Sequence, residues 1–100
     1  MLHMVVLNHT SDNCPGVSMP IRDRVLTMFN TLEDVLNKHS CSLVGSWINK
    51  SSHVTFFLVD GPDSHAVDSL LVDFGLVVWN QAVIYPVIDF EQAVSGLPTG

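Results

Sequence analysis

The order in which two hydrophobic periods alternate along the chain constrains its fold more than any other feature. Runs rich in β-branched and aromatic residues occupy positions 2–9 (LHMVVLNH), 41–49 (CSLVGSWIN), 53–60 (HVTFFLVD) and 77–90 (VVWNQAVIYPVIDF). Between the first and second, Ser18 to Lys38 sets Ile21, Val25, Met28, Phe29, Leu32, Val35 and Leu36 at three- and four-residue spacing. That spacing predicts a helix with one buried stripe, capped by Ser18 and started by Pro20. Between the third and fourth, GPDSHAVDSLLVDFG places Ala66, Val67, Leu70, Leu71 and Phe74 at the same period, with Asp63 or Ser64 to cap it and Gly75 to stop it. The KSS link between the second and third runs is short enough for a hairpin. The order β-α-β-β-α-β predicts a ferredoxin-like α+β domain, with a four-stranded antiparallel sheet and two helices on one face. Pro86 confines its end of the last strand to an edge or a bulge. The domain is expected over 1–90, and 91–100 reads as a tail that starts a helical turn and then frays.

Charge narrows the partners. Ten acids against four bases give a net charge of −6 over 100 residues. No basic stripe is present to neutralise phosphates, so nucleic acid and anionic lipid are both excluded as partners. The longest uncharged stretch, FGLVVWNQAVIYPVI, is broken by Asn, Gln and Pro and falls short of the roughly 20 residues a membrane span needs. The N-terminus has no basic segment leading into an apolar one, and a cytoplasmic location is expected. Cys14 and Cys41 then read as free thiols, and the glycosylation-type triplets at Asn8 and Asn49 carry no meaning.

Alternation assigns faces to the strands. If Val54, Phe56 and Leu58 meet the helices, then His53, Thr55, Phe57 and Val59 look away from them. The corresponding outward sets are His3, Val5, Leu7 and His9 in the first strand, Leu43, Gly45, Trp47 and Asn49 in the second, and Trp79, Gln81, Val83 and Tyr85 in the last. Such an aromatic-rich, partly polar face calls for a cover.

With this order and length, the opening MLHMVVLNHTSDNCPG, the Gly-x-Trp of VGSW, the strand HVTFFLVD and the closing WNQAVIYPV resemble a group of small bacterial and archaeal proteins of the dimeric α+β-barrel superfamily. The likeness runs over roughly positions 1 to 90. That superfamily includes muconolactone-isomerase-like proteins, cofactor-independent monooxygenases of antibiotic biosynthesis and chlorite-dismutase-like haem proteins. The resemblance implies a homodimer whose two sheets pack face to face around a barrel, with ligands between sheet and helices or in the barrel cleft. It does not imply one reaction, because a fold hosts many functions.

The residues with chemistry gather at one link. The stretch NHTSDNCPG joins the first strand to the first helix and carries His9 and Cys14, and His53 opens the strand expected to pair with the first. A thiolate with two imidazoles suits zinc, copper or iron, so His9, Cys14 and His53 form a candidate site for a metal or haem. Against this stands plain turn chemistry: Asp12 and Asn13 shape the loop, Pro15-Gly16 ends it, and Cys14 is a small buried hydrophobe. Trp47, Thr55, Phe57 and Gln81 are candidates to line a pocket for a small apolar or aromatic molecule, unless the aromatics only form the dimer interface. His9, His53 and Tyr85 are the available acid–base groups. His3 reads as a hydrogen-bonded core histidine, His39 as a dipole partner and His65 as exposed. No carboxylate pair, Ser-His-Asp set or phosphate loop is present, which excludes hydrolase and nucleotide readings. Three expectations follow: a small-molecule-binding dimeric barrel, as a cofactor-free isomerase or oxygenase; a metal or haem protein; or a non-catalytic assembly module.

Overall fold

The computed structural model of this chain describes residues 1–98. Its elements are β1 (Leu2–Asn8), α1 (Met19–Asn30), α2 (Leu32–Lys38), β2 (Ser42–Asn49), β3 (Val54–Asp60), α3 (Ser64–Asp73), β4 (Gln81–Val87) and α4 (Phe90–Ser95). Single 3₁₀ turns sit at Ser11–Asn13 and Leu76–Val78. The four strands form one antiparallel sheet in the order β2-β3-β1-β4. The chain is an α+β domain compatible with a ferredoxin-like arrangement. Among the described residues no helix is long and apolar enough to cross a membrane.

Local chemistry explains the boundaries. Ser18 Oγ accepts from the Ile21 N–H at 3.4 Å, and Pro20 occupies the first turn, where its missing donor costs nothing. The single long helix expected from Ser18 to Lys38 is two helices, broken at Thr31. There the threonine hydroxyl donates back to the Thr27 carbonyl at 3.0 Å and competes with the helical ladder. Asp63 Oδ1 caps α3 through the Ala66 N–H at 2.8 Å, and Gly75, at φ 72°, takes the left-handed conformation that stops the chain beyond it. β4 begins only at Gln81, because residues 76–78 coil into the 3₁₀ turn first. Past β4, Asp89 caps the short α4 through Glu91 N–H at 2.8 Å, so the tail does start a helical turn; its last two positions, 99 and 100, lie outside the described residues.

The core corrects the faces of two strands. Val5, Leu7 and Val59 are buried in one cluster with Met28 of α1, Leu36 of α2 and Val67, Leu70 and Leu71 of α3. The register places His3 opposite Val59, Val5 opposite Phe57 and Leu7 opposite Thr55. In β1 and β3 the set expected to look away from the helices is therefore the set that meets them. Met4, Val6, Phe56 and Leu58 lie on the bare face instead. Both sets of β1 are apolar, so alternation alone could not tell them apart, and the histidines tipped the reading outward although His3 and His9 are buried. In β2 and β4, Trp47 and Tyr85 do look away, at 56% and 53% exposure. A bulge between Leu43 and Gly45 lets Leu43 join the helix side. Trp47 leans over Gly45 so closely that a β-carbon there would meet its ring at 2.5 Å. Phe29, expected in the buried stripe, is 62% exposed; Ile21 and Met28 carry the buried face of α1, and Phe29 stands one position round from it.

Candidate metal centre and adjoining pocket

Antiparallel pairing of β1 with β3 brings the end of one strand to the start of the other, with Asn8 opposite Val54. One step further the ladder continues, as the His9 N–H donates to the His53 carbonyl at 3.2 Å. His53 sits at φ 55°, a left-handed conformation that a non-glycine residue holds only where the surroundings enforce it. That conformation ends the turn after β2, at the point where the chain enters β3. The two rings meet edge to face, with centroids 5.1 Å apart, and Trp79 flanks His9 on another side at 5.3 Å.

Cys14 reaches the same place through the loop. Its N–H closes on the Ser11 carbonyl at 3.4 Å, and its own carbonyl accepts from Val17 and Ser18 at 3.0 and 2.9 Å. Arg22 of α1 donates to the carbonyls of Pro15 and Gly16 at 3.0 and 3.1 Å, so the first helix clamps the loop that carries the thiol. The density of turn formers in NHTSDNCPG thus has a use: it folds a short connector tightly enough to return Cys14 to the end of β1.

The donor atoms of His9, Cys14 and His53 all lie within 4.8 Å of one another. His9 is buried and the other two are half-buried. Both ring nitrogens of His9, and Nδ1 of His53, are shut off from solvent with no hydrogen-bond partner. Each such orphan costs about 1–3 kcal/mol. Burial, and next the neighbouring His53, hold the His9 pKa below its ordinary value, against the opposing pull of the Asn80 side chain. The imidazole is therefore neutral near pH 7 and offers a lone pair. A zinc-type ion bound at about 2.0–2.3 Å needs donors about 3.3–3.8 Å apart, so the three side chains would have to close by at most about 1.5 Å. One thiolate and two imidazoles suit zinc, copper or iron, and three protein ligands leave a coordination position open.

A pocket of about 290 Å³ lies beside this cluster, between α1 and the sheet. Leu7, Val25, Met28, Phe57, Leu76 and Trp79 supply apolar walls, Ser46 and Thr55 bring hydroxyls, and His9 and Asn80 border it with their ring nitrogens and amide oxygen closed to solvent. His9 belongs to both pocket and cluster. Of the residues proposed from sequence to line a pocket, Thr55 and Phe57 border this one from the helix side of the sheet, and Trp47 touches its edge although the register sets it on the bare face. Gln81 and Tyr85 pair with Asn8 and Met4 and stand on the opposite face of the sheet, so Tyr85 does not share a site with His9 and His53. Trp79 was placed by alternation on the outer face, yet it packs against the core beside His9. Asn80 gave no signal at all in the sequence, because the turn that positions it interrupts what reads as a continuous strand.

His3, His39 and Cys41 each have a local partner, although His3 Nδ1 is itself buried without one, and His65 is exposed. His3 Nε2 meets Ser64 Oγ at 3.1 Å, and His39 Nε2 meets Asp73 Oδ2 at 2.8 Å. Cys41 is buried in the core as a free thiol, its pKa raised by burial and then by Asp60 and Asp63. Comparison with protein-family models finds no match for the chain, and no curated protein matches it.

Proposed function

We propose that this chain is a metal-binding protein, holding one transition-metal ion on His9, Cys14 and His53 at the mouth of a pocket for a small apolar molecule. One observation carries the reading: two strand ends and a clamped loop converge three soft or borderline donors within 4.8 Å, with buried imidazole nitrogens that have no other partner. Turn chemistry alone accounts for the loop but not for those orphaned nitrogens. The pocket, at about 290 Å³, is of a size for a one- or two-ring molecule and too small for haem. A metal-free isomerase or oxygenase built on His9, His53 and Tyr85 is less well supported, since the register separates Tyr85 from the other two. The test is to add Co²⁺ to reduced, chelator-treated protein. One equivalent per chain, with a thiolate-to-metal absorption band that vanishes in Cys14→Ser, is the expected result; the absence of any band overturns the reading.

A second reading concerns assembly. Met4, Val6, Phe56 and Leu58, with the exposed Trp47 and Tyr85, make an apolar sheet face that none of the helices among the described residues covers. A second copy packed on it, sheet to sheet, would give the homodimeric barrel that the resemblance implies. Sedimentation at micromolar concentration should then return twice the mass of one chain, and Trp47→Asp should return one, because an ion in that interface costs several kcal/mol.

A further inference from the structure

We infer that Asn80 is the positioning residue of this centre: its Oδ1 takes the N–H of the His9 nitrogen that does not face Cys14 and His53, and so decides which nitrogen is free to bind. The inference rests on the proposed metal site and adds to it a group on a different element.

The orientation of the Asn80 amide is fixed. Its Nδ2 donates to the Leu76 carbonyl at 3.0 Å, so a flipped amide would press two oxygens together. Oδ1 is therefore the end left for a donor. The backbone is held as firmly, because the Asn80 N–H donates to the same carbonyl at 3.0 Å and Leu76 is itself buried in the core. Asn80 Oδ1 is the only buried side-chain oxygen among the described residues with no partner. The Asn80 side chain stands beside the His9 ring, and both line the same pocket.

His9 presents the complementary need. A neutral imidazole carries one N–H and one lone pair, and a ring that gives its lone pair to a metal must place its N–H elsewhere. Both nitrogens are buried and unpartnered, so water does not serve. A turn of the His9 ring toward Cys14 and His53 presents the other nitrogen to Oδ1, so that two orphaned atoms satisfy each other and the third is left free for a metal. A ligand in the pocket is the poorer candidate for Oδ1, since that atom is closed to solvent.

The test compares Asn80→Leu, which removes the acceptor at similar volume, with Asn80→Asp, which restores it and, as the neutral acid that burial favours, donates its hydroxyl to the Leu76 carbonyl. In metal-free, ¹⁵N-histidine-labelled wild type the His9 ring should show one neutral tautomer; in Asn80→Leu the two should mix, and in Asn80→Asp one should return. Co²⁺ affinity, measured by chelator competition, should fall about 10- to 100-fold in Asn80→Leu and recover in Asn80→Asp. A merely structural Asn80 would move the melting temperature but not the tautomer. A mixed His9 tautomer in the wild type overturns the inference without any variant, which covers the case in which Asn80→Leu fails to fold. Unchanged Co²⁺ affinity and tautomer in folded Asn80→Leu overturn it too. If wild type takes no Co²⁺ but the tautomer responds to Asn80, the metal reading fails and the His9–Asn80 pairing stands.

Discussion

Two histidines stand on the same face of β1, both buried, and they are used differently. His3, fully buried, lies at the end of the strand covered by the start of α3, where Ser64 meets its Nε2. His9 lies at the other end, where the chain leaves the sheet, and neither of its nitrogens has a partner. Burial by itself therefore says little about a histidine. His3 Nδ1 is likewise buried without a partner, so what separates a packing residue from a candidate ligand is what stands around the unmet nitrogen, and around His9 the fold has gathered a thiol, a second imidazole and a pocket.

Removing each histidine should break this comparison in opposite directions. His9→Ala should abolish metal uptake, lowering Co²⁺ affinity by roughly a thousandfold or more, because two remaining ligands do not make a site; His3→Ala should leave that affinity unchanged. Equal losses would show that the cluster depends on the strand and not on His9. In stability the order reverses. His3→Ala should cost about 2–4 kcal/mol in urea unfolding, as cavities in a packed core do. His9→Leu, measured without metal, should cost less than His3→Ala, since the loss of the inferred bond to Asn80 Oδ1 is offset by removing the other, unpartnered nitrogen from a buried position.

The two neighbours on α1 offer a smaller contrast. Met28→Ala should cost about 2–4 kcal/mol, whereas Phe29→Ala, at a 62% exposed position, should shift the midpoint of unfolding by less than about 1 kcal/mol. A larger loss for Phe29 would mean that the pocket it borders is closed in solution. The smallest effect belongs to His39. Its contact with Asp73, and next that of Lys38, hold the Asp73 carboxyl below its ordinary value of 3.8. A depressed carboxyl favours the folded state above its unfolded-state pKa, and that contribution is lost as pH falls through the folded value. Wild type should therefore lose stability against Asp73→Asn as acid unfolding is followed downward from about pH 4, and the gap should shrink with salt, because the pair is exposed.

The periodicities alone located the four strands and the helical segments, and turn residues marked their ends: Ser18, Asp63 and Gly75 act where they were expected to. Local propensity is enough for that, since a cap or a stop needs only its neighbours along the chain. His9, Cys14 and His53 could also be picked out beforehand, because pairing of the first and third runs follows from their order and brings His53 to the end of β1. The side of the sheet could not be read in β1 and β3. Both faces of those strands are apolar, and only packing against Val67, Leu70 and Leu71 decided which set went inside. The break at Thr31 and the bulge beside Gly45 are likewise settlements between competing hydrogen bonds and packing, which a period cannot express. Asn80 is the extreme case. Nothing in its own neighbourhood marks it; the pairing of Gln81 with Asn8 sets it one step past the ladder beside His9, and the 3₁₀ turn with the Leu76 carbonyl holds its amide there.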